Sequence, residues 1–535
     1  MCRACAIRGR DCEHWDESLR SARMKSKGIV YLVGAGPGNA GLITVRGAEL
    51  LGRADVVVYD ALVNPALLKL APKSAEIIYG GKRASAHALP QEELNDLLAA
   101  KAHEGKRVVR LKGGDPYIFG RGAEEAERLA AEKIPFEVVP GVSSIVAGPN
   151  YAGIPITHRD HCSSFTVVTG HEDPAKESSR IDWDLLAKAP GTKIVLMGAE
   201  RIRQIAAELM AGGLAADTPA AMIRWGTTGR QQSIAGTLAT IADLAVEHKL
   251  GAPAVTVIGG VVSLRKQLNW FEHGPLFGQR IVVTRTREQA SELTRQLQEW
   301  GADVVEIPTI RIEPPEELQR LADGLLELNS YDWLVFTSPN GVTGFFDFFF
   351  KAFDDLRDIG GVRIAAVGPA TAAKLKALHL KVDLMPEEYV SAKIAKAFAA
   401  YESIENLKIM LLRAEVANPE LPETLSAMGA IVDDIACYRT VPETADPDGA
   451  AAALRENGAD WITFTSSSTV ENFHARFDLP KLLQQFPQLK TASIGPETSK
   501  TLAALGVAPT VEARPHNIEG IAGALRTHAR KAGAK

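Results

Sequence analysis

Short apolar runs alternate with amphipathic stretches from Gly28 almost to the end of the chain. The apolar runs at residues 29–33, 56–59 and 194–197 have the length of buried strands, and a Gly or Asp follows each of them. Strands that alternate with helical segments are typical of α/β proteins. The pattern therefore predicts an α/β fold along the whole chain.

The alternation is interrupted once, near the middle of the chain. Residues 269–278 form a stretch with Gly and Pro that follows a predicted helix, and we expect this stretch to be exposed. A single hydrophobic core stops growing at about 250–300 residues, so a chain of 535 residues requires at least two domains. We predict a first domain at 28–273, a linker at 274–278 and a second domain at 279–530.

The second half of the chain repeats itself. Four landmarks recur at an almost constant offset along the chain. The matching segments are 280–285 with 408–413, 300–302 with 428–430, 333–338 with 461–466, and 367–369 with 494–496. A period this long exceeds that of solenoid repeats, so it indicates a domain duplication. We predict two similar α/β lobes of about 125 residues each, with a ligand cleft between them.

Composition and charge exclude several classes of protein. With 46% hydrophobic residues the chain can form large cores, which argues against a disordered protein. A net charge of −5 argues against a nucleic-acid-binding protein, which would need an excess of Lys and Arg. No run of about 18 apolar residues occurs, so no membrane-spanning helix is predicted. Five Cys residues cannot form a disulfide framework, which favours a reducing compartment and a cytoplasmic location.

Residues 1–27 form a separate segment with three of the five Cys residues. Cys2, Cys5, Cys12 and His14 have a spacing that could hold a zinc ion. The segment lacks the turn residues and apolar packing of a metal knuckle, and it lacks the apolar core of a secretory signal. We therefore expect a disordered extension without a metal site, with Met24 as a candidate natural start.

A glycine-rich loop follows the first predicted strand. Gly36, Gly38 and Gly41 satisfy the spacing G-x-G-x-x-G, and Asp60 ends the next strand about 20 residues later, as in dinucleotide-binding proteins. Pro37 removes a backbone N–H where a pyrophosphate would need donors. The loop therefore leaves three alternatives open: a dinucleotide site, a site for another nucleoside cofactor, or purely structural glycines.

A second glycine-rich stretch follows the strand that ends near Leu111. It contains a Gly-Gly-Asp-Pro turn at 113–116, and Gly120 and Gly122 bracket an Arg before the next predicted helix. Paired glycines let a backbone approach a ligand closely, and a carboxylate can bind hydroxyls or a cationic centre. An ordinary strand–turn–helix junction would not need so many glycines.

The first half resembles the uroporphyrinogen-III C-methyltransferase family in motifs that fall in family order. They are Gly34-Ala-Gly-Pro-Gly38, Tyr59-Asp60, Gly81-Lys82-Arg83, Lys112-Gly-Gly-Asp-Pro116, Phe119-Gly-Arg-Gly122, Pro140-Gly-Val-Ser-Ser144, Gly153-Ile-Pro-Ile-Thr-His-Arg159, Thr169-Gly-His171 and Leu268-Asn-Trp-Phe271. The resemblance covers about residues 28–273. It implies the tetrapyrrole methylase fold, with two α/β lobes, and S-adenosyl-L-methionine as the cofactor.

The resemblance also implies roles for particular residues. Asp60 is the candidate catalytic base and Lys82 the candidate proton donor. The candidate cofactor-binding residues are Pro37, Gly113, Gly114, Asp115, Ile118, Ser143, Ser144, Met197 and Gly226. The substrate is a polycarboxylate, and the candidate residues that bind it are Arg83, Arg121, His158 and Arg159. Without the resemblance, Met197 would be assigned to the core and the cations to the solvated surface.

The second half is similar to uroporphyrinogen-III synthase. The similarity rests on Phe336-Thr-Ser338, Tyr438-Arg-Thr440, Phe464-Thr-Ser-Ser467 and Gly495-Pro-Glu-Thr498. By analogy with that family, Tyr438 is the candidate catalytic residue that assists departure of a hydroxyl group. The candidate substrate-binding residues are Thr337, Ser338, Ser466, Ser467 and Thr498, although Ser and Thr at these places could equally be helix N-caps.

The two resemblances together imply a bifunctional enzyme. It would cyclise hydroxymethylbilane to uroporphyrinogen III and methylate that product to precorrin-2 via precorrin-1. The methylase family suggests a homodimer. Because only the short segment 1–27 precedes the methylase half, we expect other proteins to supply the dehydrogenase and chelatase of trifunctional sirohaem synthases. Three alternatives remain: a methylase of another tetrapyrrole precursor, an NAD-binding oxidoreductase, and a second half that only binds or tethers.

Overall fold

The computed structural model describes residues 28–81, 90–171, 181–284, 291–387, 391–446 and 449–533. These residues divide into two compact units. The first contains the chain up to Arg280 together with 295–304 and the residues from Arg526 onward, and the second contains 281–294 and 305–525. Helices alternate with strands in both units, so the predicted α/β class is confirmed.

A parallel sheet of five strands forms the first lobe of the first unit, in the order β3-β2-β4-β1-β5. The strands are β1 (Ile29–Gly34), β2 (Val56–Tyr59), β3 (Glu76–Tyr79), β4 (Arg107–Lys112) and β5 (Phe136–Val139). The helices are α1 (Val45–Leu51), α2 (Gln91–His103), α3 (Gly122–Ala131) and α4 (Ser144–Tyr151). Alternate strand residues face opposite sides, so Val56 and Val58 pack against α2 and α3 while Val57 packs against α1.

A mixed sheet forms the second lobe, in the order β6-β7-β10-β8-β9. Its strands are β6 (Phe165–Thr169), β7 (Thr192–Leu196), β8 (Pro219–Arg224), β9 (Gln232–Thr237) and β10 (Ala254–Ile258). Its helices are α5 (Trp183–Lys188), α6 (Ile202–Ala211), α7 (Ile241–Glu247) and α8 (Arg265–Leu268). Because β10 runs antiparallel to both β7 and β8, the carboxyl ends of β7 and β8 lie at the same edge of this sheet.

Two further sheets of five strands are built from the second half of the chain, in the orders β12-β11-β18-β19-β20 and β13-β17-β16-β14-β15. The strands are β11 (Arg280–Val283), β12 (Asp303–Glu306), β13 (Ile310–Glu313), β14 (Trp333–Phe336), β15 (Arg363–Ala366), β16 (Lys408–Ala414), β17 (Ile431–Pro442), β18 (Trp461–Phe464), β19 (Lys490–Ser493) and β20 (Val511–Glu512). The helices are α9 (Ser291–Glu299), α10 (Gln319–Leu326), α11 (Pro339–Ala352), α12 (Pro369–Ala377), α13 (Ser391–Tyr401), α14 (Glu420–Ala427), α15 (Ala450–Asn457), α16 (Ser467–Phe477), α17 (Leu479–Gln485), α18 (Pro496–Ala504) and α19 (Ile518–Gly533).

Each lobe of the second half contains strands from both copies of the repeat. In one lobe β11 of the first copy pairs with β18 of the second, with Ile281 opposite Trp461. In the other lobe β16 of the second copy pairs with β14 of the first, with Ile409 opposite Trp333. The repeat relates these two pairings to each other, since Ile281 corresponds to Ile409 and Trp333 to Trp461, so the duplication is confirmed. The expectation that each copy folds as its own lobe is wrong, because each lobe needs strands from both copies.

The segment that the sequence predicts to be an exposed linker is packed. Leu276 is fully buried, and its backbone N–H donates to the carbonyl of Trp300 at 3.0 Å. Phe277 stacks edge-on against Phe271, with ring centroids 5.6 Å apart. The Gly and Pro residues of this stretch form a turn that places these apolar side chains inside. Composition alone does not predict this burial.

Candidate functional site

Three loops interlock at the carboxyl edge of the first sheet. Gly36 and Gly114, which follow β1 and β4, exchange two backbone hydrogen bonds of 3.2 and 2.8 Å. A Cβ on Gly141, after β5, would lie 2.2 Å from the carbonyl oxygen of Gly114 and 2.7 Å from the Cα of Gly34. Only glycines permit this approach of three backbones, so the two glycine-rich motifs form one structure.

Asp115 ties two of these loops together. One carboxylate oxygen accepts the N–H of Gly141 at 3.0 Å, and the other accepts the N–H of Tyr117 at 2.8 Å. Ser143 follows in the next loop, is buried, and caps α4, so Ser144 is the first residue of that helix. The start of α4 therefore presents backbone N–H groups beside the carboxylate of Asp115, which suits a polar ligand.

Asp60 lies next to the interlocked loops at the end of β2. Its carboxylate accepts the N–H of Leu62 at 3.0 Å and the N–H of Gly113 at 3.3 Å. The side chain remains 28% exposed. An accessible carboxylate is thus held directly against the glycine pair that the sequence assigns to the cofactor.

A buried charge cluster lies beneath Asp60. Arg110 is 3.7 Å from the carboxylate of Asp60 and 3.2 Å from that of Glu125, which is fully buried. Lys112 contacts the same oxygen of Glu125 at 2.7 Å. Burial lowers the pKa of Lys112, and the charge of Arg110 lowers it further. Arg110 thereby links Asp60 to a buried carboxylate and limits where the Asp60 side chain can point.

The second lobe contributes the loop that follows β8. Gly226 fits against Gly148 of α4, because a Cβ at residue 226 would lie 2.9 Å from the Cα of Gly148. The hydroxyl of Thr227 accepts the N–H of Asn39 at 3.0 Å. This loop therefore contacts the Gly36–Asn39 turn, which contains Pro37, and adds Gly226 to the site.

Two predicted cofactor-binding residues lie on neighbouring loops. Ile118 follows the Asp115 turn and is exposed, as are Tyr117 and Phe119. Met197 follows β7 and has a positive φ of 53° and an exposed side chain, in contrast to the core position that its apolar strand suggests. Met197 lies at the same sheet edge as Gly226, because β7 and β8 run in the same direction.

Of the predicted substrate-binding cations that the structure describes, Arg121 lies apart from His158 and Arg159. Arg121 pairs with Glu124 at 2.6 Å on the exposed start of α3. His158 and Arg159 lie on a turn whose Cys162 thiol is 3.2 Å from the hydroxyl of Thr192, at the amino end of β7 and thus opposite Met197. Lys82 and Arg83 lie outside the described residues.

Tyr438 lies in the other half of the chain, on β17. It is buried, and its hydroxyl is 3.0 Å from the Oγ of Ser338. Burial raises the pKa of Tyr438, so the phenol stays protonated near neutral pH. Thr337 comes directly before Ser338, and its hydroxyl lies 3.4 Å from the carbonyl oxygen of Leu412. Ser338 also accepts the N–H of Gly341 and so caps α11, which is the N-cap role that the sequence left open as an alternative.

The three remaining candidates of the synthase half hold helix ends. Ser466 caps α16 and accepts the N–H of Thr469 at 3.3 Å. Ser467 accepts a hydrogen bond from Thr501 at 2.8 Å, and Thr498 is buried in the first turns of α18. These side chains therefore lie at helix N-termini at the carboxyl edge of the sheet, where backbone N–H groups can meet ligands.

Several residues of the site could not be predicted from the sequence. Thr227 has a positive φ of 71°, which is rare for a β-branched residue and marks a backbone that its surroundings hold in place. The amide oxygen of Gln231 accepts the N–H of Thr227 inside the same loop, and Arg110 supports Asp60 from below. Nothing in their spacing distinguishes them from ordinary polar residues, although Arg110 lies two residues before the start of the Lys-Gly-Gly-Asp-Pro motif.

Comparisons with known proteins assign both halves of the chain to families. Residues 29–242 match the model of the tetrapyrrole (corrin/porphyrin) methylases, and residues 291–523 match that of uroporphyrinogen-III synthase HemD. A porphyrin biosynthesis protein HemD of Ruminiclostridium josui is 40% identical over 85% of this chain and 90% of its own length. An S-adenosyl-L-methionine-dependent uroporphyrinogen III methyltransferase of Methanosarcina barkeri is 55% identical over 44% of this chain and 93% of its own length.

The chain belongs to the tetrapyrrole biosynthesis enzymes that join a uroporphyrinogen-III C-methyltransferase domain to a uroporphyrinogen-III synthase domain. Both resemblances seen in the sequence are thereby confirmed. A solved uroporphyrin-III C-methyltransferase of Thermus thermophilus, complexed with S-adenosylhomocysteine, is 39% identical and covers 44% of this chain and 100% of its own, with a TM-score of 0.38. Among the described residues, no helix is long and apolar enough to cross a membrane.

Proposed function

We propose that this chain catalyses two consecutive reactions. The synthase half closes hydroxymethylbilane to uroporphyrinogen III, and the methylase half converts that product through precorrin-1 to precorrin-2. The observation that carries the methylase assignment is the interlocked Gly36, Gly114 and Gly141 backbone with the Asp60 carboxylate beside it. It combines a close, nearly uncharged backbone surface with an acid–base group.

The residues present fit S-adenosyl-L-methionine. The glycine backbones of the interlocked loops lack Cβ atoms and so allow a ligand to approach closely. The carboxylate of Asp115 and the start of α4 offer polar partners. When bound, S-adenosyl-L-methionine supplies a methyl group activated by a sulfonium sulfur. Gly113, Gly114, Asp115, Ser143 and Gly226 would hold it, with Pro37, Ile118, Ser144 and Met197 on the adjoining loops. Positioning is the protein's main contribution, because the sulfonium needs little further activation.

Asp60 would act as the base. Methylation of a ring carbon forms a carbon–carbon bond as the sulfur–carbon bond breaks, and a proton must then leave the macrocycle. The exposed carboxylate of Asp60 is the acceptor for that proton, while its hydrogen bonds with Leu62 and Gly113 fix its orientation. We retain Lys82 as the proposed proton donor and Arg83, Arg121, His158 and Arg159 as proposed partners of the substrate carboxylates.

The order of strands argues against the NAD-binding alternative. In the dinucleotide-binding fold the first strand lies between the second and fourth strands, and the third strand lies on the far side of the second. Here β1 lies between β4 and β5, and a turn of 3₁₀ helix at Ala40–Leu42 separates the glycine loop from α1. The G-x-G-x-x-G loop therefore does not open directly into a helix that could hold a pyrophosphate.

In the synthase half, Tyr438 would assist departure of the hydroxyl group as water. Its phenol is protonated and hydrogen-bonded with Ser338. The equivalent cap in the other lobe, Ser466, has Ser468 as its side-chain neighbour, at 3.0 Å. The tyrosine thus breaks the pseudo-symmetry of the duplication, which supports the proposal of an acid in one lobe. Thr337, Ser467 and Thr498 remain proposed binding residues for the carboxylates of the linear substrate.

Tyr438→Phe should slow the formation of uroporphyrinogen III by about tenfold. This effect is smaller than the usual contribution of an acid catalyst, because the leaving hydroxyl already departs to give a stabilised cation. Chromatographic separation of the product isomers measures this rate, while methylation of supplied uroporphyrinogen III should stay unchanged. Tyr331→Phe is the matched control, since Tyr331 is also buried in this lobe but donates to Asp433. An unchanged rate in Tyr438→Phe removes Tyr438 from the mechanism.

A single incubation tests the two activities together. Purified protein is mixed with hydroxymethylbilane and S-adenosyl-L-methionine, and the products are identified by mass. A doubly methylated macrocycle supports the proposal. Separate incubations with other substrates distinguish the alternatives. Methylation only of a supplied later corrin precursor favours the alternative methylase, and methylation of supplied uroporphyrinogen III without ring closure of hydroxymethylbilane leaves the second half as a binding module.

We also propose a cytoplasmic location and a homodimer formed through the methylase half. Light scattering of the purified chain gives its mass in solution. The expected results are a mass twice that of the chain for the whole protein and a dimer also for the methylase half on its own. A monomer contradicts the homodimer and leaves the proposed reactions unaffected.

A further inference from the structure

Two sequence motifs have no role in the proposed chemistry: the segment around Leu268-Asn-Trp-Phe271, and Gly153. The structure joins them, because a Cβ on Gly153 would lie 2.4 Å from the backbone nitrogen of Asn269. The close approach brings Glu272 to the loop that follows β8. Glu272 is largely buried, as its side chain is only 13% exposed.

Glu272 is the centre of a buried hydrogen-bond network. One carboxylate oxygen accepts the side chain of Gln231 at 2.7 Å, and the other accepts Arg265 at 2.5 Å and Asn269 at 3.0 Å. Arg265 also donates to the carbonyl of Ala152 at 2.6 Å. Burial acts to raise the pKa of Glu272, but hydrogen bonds, foremost that from Arg265, outweigh it and leave the pKa below its usual range.

Gln231 transmits this network to the site. Its amide nitrogen donates to Glu272 and, at 3.2 Å, to the carbonyl of Tyr151. Its amide oxygen accepts the N–H of Thr227 at 2.9 Å. Gln231 is 4% exposed, and these three partners fix the orientation of its amide group.

Thr227 is the residue on which these contacts act. A β-branched residue with a φ of 71° is unfavourable by itself, so it persists because its surroundings hold it. Its hydroxyl accepts the N–H of Asn39, and Gly38 packs against the methyl group of Thr228. The network therefore ends on the Gly36–Asn39 turn and not on a remote part of the lobe.

We propose that Gln231 and Glu272 are positioning residues for methyl transfer, which hold Thr227 in its left-handed conformation and thereby fix the Gly36–Asn39 turn in the geometry that binds the methyl donor. This inference rests on the proposed function. Neither residue needs to touch the substrates. The expected signature is a selective loss of affinity for the donor, because the turn belongs to the donor site.

An exchange of the two side chains tests the proposal. Gln231→Glu alone places two carboxylates 2.7 Å apart, and Glu272→Gln alone leaves an amide N–H₂ facing a donor. In the double variant, the new Glu accepts from Thr227 and from the new Gln, whose oxygen accepts from Arg265. Only the carbonyl of Tyr151 loses its donor, so the double variant restores most of the network.

Each single variant should raise the KM for S-adenosyl-L-methionine, and the Kd for S-adenosylhomocysteine, by about tenfold or more, and the double variant should return both to within about threefold of wild type. The KM for uroporphyrinogen III should stay within about twofold throughout. The control is Lys193→Met, which removes an equally buried polar side chain, bonded to Ala189 and Gly191, at the far end of β7. It should lower the thermal midpoint without a selective change in either KM.

A parallel rise of both KM values, no rise at all, or a double variant no better than the sum of the singles overturns the inference. If the charge variants do not fold, Thr227→Ala and Thr227→Ser replace them. Alanine loses the acceptor for Asn39 and should weaken donor binding, whereas serine keeps it and should not. Calorimetry with S-adenosylhomocysteine on the wild-type chain and the variants distinguishes a failure of the proposed function from a failure of the positioning role. Absent binding of S-adenosylhomocysteine refutes the proposed function, and equal binding by wild type and all variants refutes only the positioning role.

Discussion

Replacing Asp60 with asparagine should lower the rate of methyl transfer by about 100-fold or more, within the range that a positioned general base contributes. An amide keeps the size of the carboxylate and can still accept one backbone N–H, but it cannot take the proton that must leave the methylated macrocycle. Binding of S-adenosylhomocysteine should change little, since Gly113 binds through its own backbone. Single-turnover methylation of uroporphyrinogen III and calorimetry measure the two effects separately.

Asp55→Asn is the matched control. Asp55 lies at the amino end of the same strand, with a side-chain exposure of 34% close to that of Asp60, and it pairs with Arg107 at 2.8 Å. That variant loses an ion pair at the opposite edge of the sheet and should methylate at the wild-type rate. Normal turnover in Asp60→Asn, or an equal loss in both variants, contradicts the assignment of Asp60 as the base.

Gly141→Ala should abolish donor binding, with a rise in the Kd for S-adenosylhomocysteine of about 100-fold or more. The added methyl group would lie 2.2 Å from the carbonyl oxygen of Gly114 and 2.7 Å from the Cα of Gly34. These are backbone atoms, so the loops after β1, β4 and β5 must separate. Separation would also break the hydrogen bond between Gly141 and Asp115. Calorimetric titration gives the Kd directly.

Gly251→Ala controls for the substitution itself, because a Cβ at residue 251 has no atom within 4 Å. It should bind the nucleoside with the wild-type Kd. The synthase activity of Gly141→Ala serves as a second control. It should be retained, which would show that the loss is confined to the methylase half. Wild-type affinity in Gly141→Ala would mean that the interlocked glycines do not form the donor site.

The sequence was sufficient for the architecture where local pattern decides it. Apolar runs such as 56–59 became buried strands, and the long repeat of the second half corresponds to equivalent strand registers. The pattern could not show that β11 pairs with β18 and β16 with β14. Sequence similarity establishes which strands are equivalent, but it does not determine which copy supplies each partner. For the same reason, the burial of Leu276 depends on tertiary contacts that composition does not record.

Some residues of the site could likewise be predicted from the sequence, and others could not. The glycine-rich stretches marked the loops at Gly36 and at Gly113–Gly114 directly in the sequence, whereas Gly226 and the role of Asp60 as the base came only from the family resemblance. Thr227 left no signal in the sequence, because its positive φ is imposed by Gln231 and Asn39, which are distant from each other in the chain. Single surface cations such as Arg159 carry too little pattern to be assigned, and the structure places Arg159 away from the interlocked loops.

A crystal structure of the chain with S-adenosylhomocysteine tests the central claim most directly. We expect the nucleoside against Gly113, Gly114 and Asp115, between the start of α4 and the loop at Gly226, with its sulfur facing the side of Asp60. Density for the nucleoside at another place, or side chains filling this space in crystals that contain it at saturating concentration, would contradict the methylase assignment.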